Sequence, residues 1–218
     1  MPTFFDKYVS ESDHQKAANH ALQKLNLDGI ITSRTIPNIL AIIFDDGPFE
    51  YTEKLFDFLK EESTRVTFFL NGESRGDIHE FGNAVRRAYE EGHQIGLHAW
   101  NHADLTTLSE DEIREEMSWN IIGVRPVYMR PSCGYVDDRS EGYLHKNGYK
   151  IVNWSTDTND WRHPDDVEAS MKAYESALTR SDAHKNGYIA LQHNTIESTA
   201  ENLAPVVARY AKENGFKV

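Results

Sequence analysis

Apolar and β-branched residues recur along the chain in six short runs: Ile39–Phe44, Val66–Leu70, Gln94–Leu97, Val127–Arg130, Tyr149–Trp154 and Tyr188–Gln192. Each has the length of a strand, and Phe216-Lys217-Val218 offers a short last one. Helical spacing fills the intervals. Tyr51–Glu62 puts Leu55, Phe58 and Leu59 on one face, and Asp165–Arg180 and Thr199–Asn214 read as helices, the latter stopped by Gly215. Ser109-Glu110-Asp111-Glu112 has the form of a capping box ahead of a helix over Ile113–Ile122. Upstream, Ala17, Ala18, Ala21, Leu22 and Leu25 predict a further helix over Asp13–Leu27, stopped at Asp28-Gly29. Repeated alternation of strand and helix predicts an α/β fold with a parallel sheet, open or closed into a barrel.

No repeat, low-complexity tract or flexible linker interrupts the 218 residues, so the pattern predicts one domain over 1–218. No apolar run approaches the roughly 20 residues of a membrane span. The first residues lack the basic start, apolar centre and small-residue cleavage site of a secretory leader, which reads as a cytosolic chain or one whose leader has been removed. A net charge of −12 argues against binding nucleic acid phosphates. The single cysteine, Cys133, excludes an internal disulfide.

The polar residues that follow the apolar runs change the picture. Asp45 and Asp46 end the first run, His98 follows the third, Arg130 ends the fourth, Asp157 and Asp160 follow the fifth, and His193 follows the sixth. In a parallel barrel the C-terminal strand ends share one face, where active sites are built. His98 and His102, four residues apart, share a face on a helical turn. With a carboxylate such as Asp46 they make a three-ligand metal set with an open position. Isolated histidine pairs also occur as unconnected surface or core residues, and Asp-Asp-Gly-Pro is also a turn sequence. Of two adjacent aspartates, one can bind a metal while the other takes a proton from water. Arg130 at a strand end needs a counter-charge: any nearby carboxylate, or the basic aspartate, which it would orient and keep ionised. Asp160 is either a helix cap or the partner that keeps His193 protonated as a general acid, beside Trp161, a ring able to stack on a sugar.

Taken together, these stretches resemble the polysaccharide deacetylases, the chitin-deacetylase-like carbohydrate esterases of family four. The resemblance runs from about Ile39 to the C-terminus. The family's Thr-Phe-Asp-Asp-Gly-Pro matches Ile43–Pro48 except at Ile43. Its His-(Ser/Thr)-x-x-His matches His98–His102 except at Ala99. Its Arg-Pro-Pro-Tyr is half kept as Arg130-Pro131-Ser132-Cys133, and Asp157–Trp161 and Leu191–His193 are intact. The resemblance implies a distorted, incomplete (β/α) barrel. It implies Asp45 as base, Asp46, His98 and His102 as ligands of a divalent metal, zinc or cobalt, Arg130 holding Asp45, and Asp160 tuning the acid His193. Trp161 and Leu191 would wall the acetyl pocket, the Cys133 backbone N–H would meet the oxyanion, and Tyr135 would contact sugar. The implied reaction removes the N-acetyl group from N-acetylglucosamine units of chitin or a related polysaccharide, in the extracellular space or cell wall. The departures at Ala99, Ser132 and Cys133 keep a second reading open: a degenerate relative with a sugar-binding or cell-wall role.

Overall fold

The computed structural model describes residues 29–33, 36–117, 126–179 and 183–218. The helix expected over Asp13–Leu27 lies outside them. The described strands are β1 (Ile39–Ala41), β2 (Ile43–Asp45), β3 (Thr67–Leu70), β4 (Gln94–Leu97), β5 (Tyr128–Met129), β6 (Lys150–Ile151), β7 (Thr156–Asp157) and β8 (Gly187–His193). The described α-helices are α1 (Thr52–Glu61), α2 (Gly82–Glu90), α3 (Glu110–Met117), α4 (Asp138–Lys146), α5 (Val167–Leu178) and α6 (Ala204–Glu213).

Every strand pairing is parallel. β1 and β2 follow one another along β8 in a single register, Ile39 opposite Gly187 and Asp45 opposite His193, so the run predicted as one strand is one line of pairing interrupted at Ile42. From β2 the sheet continues through β3, β4, β5 and β6. The chain then crosses to β7, which pairs with Ala190 and Leu191 of β8. The sheet therefore curls into a distorted, incomplete (β/α) barrel. Ile31 pairs with Val152 at the open side, and Lys217 pairs with Ile39, which reduces the expected last strand to a single bridge.

The core follows from the alternation. Phe44 and Phe68 stack at 5.4 Å between ring centres, and Phe56 of α1 meets Phe68 edge-on at 5.3 Å. Full burial of such a side chain contributes roughly 1.5–3 kcal/mol. The buried face of α1 is Thr52, Leu55, Phe56 and Leu59. Phe58, expected on that face, is only half-buried and lies under the Arg209 guanidinium. Glu112 accepts from the Ser109 backbone N–H at 2.7 Å, as the capping box requires. The predicted extension of that helix to Ile122 runs beyond the described residues. Helices α2 and α4 were not expected: α2 buries only Ala84, Val85 and Ala88, and α4 buries Leu144 and Ser140 and carries Gly142 inside it. Neither offers the stripe of large apolar residues that betrays a helix in sequence. Among the described residues, no helix is long and apolar enough to cross a membrane.

Because all strands point the same way, Asp45, His98, Arg130, Asp157 and His193 come to one rim. An apolar cavity lined by Ile39, Leu40, Val66, Gln94 and Ile189 lies toward the N-terminal strand ends instead, away from those groups.

Candidate metal centre and active site

Asp45 is the last residue of β2 and is 1% exposed. The fully buried Arg130, just past β5, donates through Nη1 to both of its carboxylate oxygens at 3.0 and 3.1 Å. The other guanidinium nitrogens reach the carbonyls of Val152 and Asn153, both at 3.3 Å, and the Phe69 and Trp154 rings flank the cation. The carboxylate is thereby fixed in orientation and given the counter-charge that burial demands.

Asp46 follows in the left-handed backbone region, φ 70°, which turns its side chain away from the strand direction. Its Oδ1 is buried with no hydrogen-bond partner. It faces His98 Nε2 at 3.5 Å and His102 Nε2 at 3.4 Å. His98 donates from Nδ1 to the Arg130 carbonyl at 2.8 Å, which leaves Nε2 as the free lone pair. Burial and the neighbouring His98 hold the His102 imidazole below its usual pKa, so it favours the neutral, ligating form. Asp46, His98 and His102 offer three ligand atoms within 4.8 Å of one another, the one such group among the described residues. A cation would satisfy the orphaned Asp46 oxygen and both lone pairs, so the residues present fit a divalent metal with N and O ligands.

The two histidines do not share a helical turn, contrary to expectation. They sit in an irregular loop in which Ala99 (φ 62°) and His102 (φ 56°) are both left-handed, yet their rings lie 4.9 Å apart. Such residues cost about 1–3 kcal/mol each and persist only where the surroundings hold them. Asn71, absent from the sequence reading, supplies part of that hold: its Nδ2 donates to the carbonyls of His98 and Ala99 at 2.6 and 2.8 Å. Ser132 Oγ donates to the same His98 carbonyl at 3.3 Å. Trp100 packs where a Gly72 Cβ would stand, 2.0 Å from its ring, so Gly72 must remain glycine.

On the other side of the rim, Asp160 accepts from His193 Nδ1 at 2.8 Å and from the His193 backbone N–H at 2.7 Å. Burial alone would push His193 down, but the Asp160 hydrogen bond and charge raise it to about 9. Asp160 does not cap a helix. Its remaining acceptor capacity is taken by the Trp161 backbone N–H and by Thr199 Oγ1 at 2.9 Å. Thr199, fully buried, was also missed, since a lone Thr in a helical pattern carries no signal. Asp157 turns to the Asn159 backbone N–H at 2.8 Å.

Leu191 is buried, whereas Trp161 and Tyr135 are exposed at 50% and 58%. Arg162 stacks over the Trp161 ring. Cys133, left-handed at φ 54°, lies close enough to Asp46 and Asp104 that burial and both carboxylates push its thiol pKa up, which keeps it protonated.

The family model for polysaccharide deacetylase matches residues 32–152, which hold Asp45, Asp46, His98, His102 and Arg130. The chain belongs to the polysaccharide deacetylase family. As a polysaccharide deacetylase family member it is 36% identical over 194 residues to a chitin deacetylase of Pestalotiopsis sp, covering 86% of this chain and 63% of that protein. It is 34% identical over 188 residues to a peptidoglycan-N-acetylglucosamine deacetylase of Bacillus cereus, covering 81% of this chain and 66% of that one. It thus spans just under two thirds of the length of either relative. The solved chitin deacetylase of Colletotrichum lindemuthianum superposes with a TM-score of 0.84 at 30% identity, covering 88% of this chain and 89% of that one.

Proposed function

We propose that this polysaccharide deacetylase family member removes the N-acetyl group from N-acetylglucosamine units of chitin or a related polysaccharide. The observation that carries the reading is the Asp46–His98–His102 cluster, with the Arg130-held Asp45 on one side and the Asp160–His193 pair across the rim. The relatives named for chitin and for peptidoglycan N-acetylglucosamine share that sugar unit.

Asp46, His98 and His102 would hold a divalent cation, zinc or in its place cobalt; when bound it supplies Lewis-acid polarisation of a carbonyl and lowers the pKa of water. Asp45, kept oriented by Arg130, accepts a proton from the attacking water. His193, protonated through its bond to Asp160, donates to the leaving amine, and acetate and a free amino sugar result. The Cys133 backbone N–H is assigned to the developing oxyanion, an interaction of a kind worth about 3 kcal/mol. Trp161 and Leu191 would border the acetyl methyl, and the exposed Tyr135 would lie against sugar. The reading treats 1–218 as one catalytic domain acting on polymer in the extracellular space or cell wall.

The test is acetate release from a chitin oligomer. Release should occur with zinc or cobalt and stop with chelator, and Asp45→Asn and His193→Ala should each lose at least about 100-fold. A folded, zinc-loaded chain that releases no acetate from chitin or peptidoglycan fragments refutes the reading.

A further inference from the structure

Two of the proposed metal ligands are reached by a loop that bends through two left-handed residues, and its halves are held from different sides. The carbonyls of residues 98–100 all accept from the β3 side. Asn71 takes the carbonyls of His98 and Ala99, and the backbone N–H groups of Gly72 and Glu73 donate to the Trp100 carbonyl at 3.0 and 2.8 Å. The half that leads into His102 is fastened to α3 instead. Glu116, in the last described turn of that helix and 8% exposed, accepts from the Asn101 backbone N–H through Oε2 at 2.8 Å and from Asn101 Nδ2 through Oε1 at 2.9 Å. Its own backbone carbonyl takes the Trp100 N–H at 3.0 Å. One carboxylate thus grips both donors of the residue immediately before His102.

We propose that Glu116, which belongs to none of the motifs that mark the site, is the positioning residue that sets His102 for metal binding. A left-handed His102 must be over-determined by its surroundings to persist. Without that grip, Asn101 and His102 can relax toward ordinary backbone angles and carry Nε2 away from Asp46 Oδ1. Charge-assisted bonds from a carboxylate to two fixed N–H donors are stronger than neutral ones and directional, which suits them to hold one backbone geometry. Both bonds of the Glu116 carboxylate to the loop end on Asn101 and not on a ligand atom. Its effect passes through Asn101, as outer groups around metal sites commonly tune affinity by about 10–100-fold. The inference rests on the metal-dependent reading above.

The experiment measures zinc affinity by competition with a chromophoric chelator, and the visible spectrum of the cobalt form, for wild type, Glu116→Ala, Glu116→Gln and Tyr149→Phe. Tyr149 OH donates to the Met117 carbonyl at 3.0 Å, so Tyr149→Phe loosens the same helix end through a bond that ends on the helix and not on residues 98–102. Glu116→Ala should weaken zinc binding by about 10–100-fold and shift the cobalt bands, Glu116→Gln should lose less, and Tyr149→Phe should stay within about twofold of wild type. If Glu116→Ala does not fold, Asn101→Ala, at an exposed position, should weaken zinc by about 3–10-fold. Zinc affinity within twofold of wild type in the folded variant overturns the inference. So does an equal loss in Tyr149→Phe, which would make the effect one of general stability. These outcomes are separable from the deacetylase reading. A wild type that binds zinc but releases no acetate refutes the reaction and leaves the role of Glu116 standing; one that binds no zinc overturns both.

Discussion

Arg130 is a fully buried guanidinium whose nitrogens are spent on one carboxylate and two carbonyls, with an aromatic ring on each side. Its removal would strand Asp45 as a buried charge. Arg130→Ala should therefore cost about 3–5 kcal/mol in urea unfolding as well as abolish acetate release. His193 makes a different kind of prediction. Its pKa is raised to about 9 in the fold, against an ordinary value of 6.5. The sign is that of a group that gains a partner on folding: the stability it contributes is complete below about pH 6.5 and is lost as pH rises through 9. In its proposed role as general acid it must also be protonated, so kcat/KM should fall on the alkaline side near pH 9. Asp160→Asn should move that fall down by two pH units or more, because burial then acts on the imidazole without its counter-charge. A pH–rate profile whose alkaline limb does not move would disprove the pairing.

Elements differ in how far the chain alone revealed them. β3, β4 and β8 were legible to within a residue or two, because a strand buried on both faces must be apolar throughout. β7 was not, because two residues, Thr156 and Asp157, carry no period. The histidine loop carries the helical signature, a spacing of four, without forming a helical turn; bonds from residues distant in sequence, among them Asn71, Ser132 and Glu116, hold its left-handed shape. The joint between α2 and β4 holds an element-scale prediction. His93 there stacks on Phe56 of α1 and meets Phe68 of β3 edge-on, while Nδ1 accepts the Val66 backbone N–H at 3.3 Å. Burial pushes its pKa down to about 4. A depressed pKa contributes stability that is present above about 6.5 and lost as pH falls toward 4. Unfolding free energy should decline over that window by roughly 2–3 kcal/mol, and His93→Gln should flatten the decline. An unchanged slope in the variant would show that His93 is not the titrating group.

Across the whole molecule the sheet acts as a frame that brings five strand ends to one rim. A cation bound there interacts only with the folded chain, so zinc at 100 times its Kd should add about 2.7 kcal/mol. For a chain of this size that raises Tm by roughly 5–10 °C, and chelator should reverse it. Asp46→Asn should abolish the shift, and a shift that persists would place the ion elsewhere. The order of the strand-end residues, their chemical types and the parallel direction of the strands were fixed by sequence, because apolar periodicity and βα alternation are local properties of the chain. What tertiary structure alone decided is which carboxylate is spoken for and which is left open. Asp45 and Asp46 are identical neighbours in sequence; Arg130, 85 residues away, claims the first, and a left-handed turn aims the second at His98 and His102. That division depends on contacts between distant segments, and these exist only once the sheet has curled.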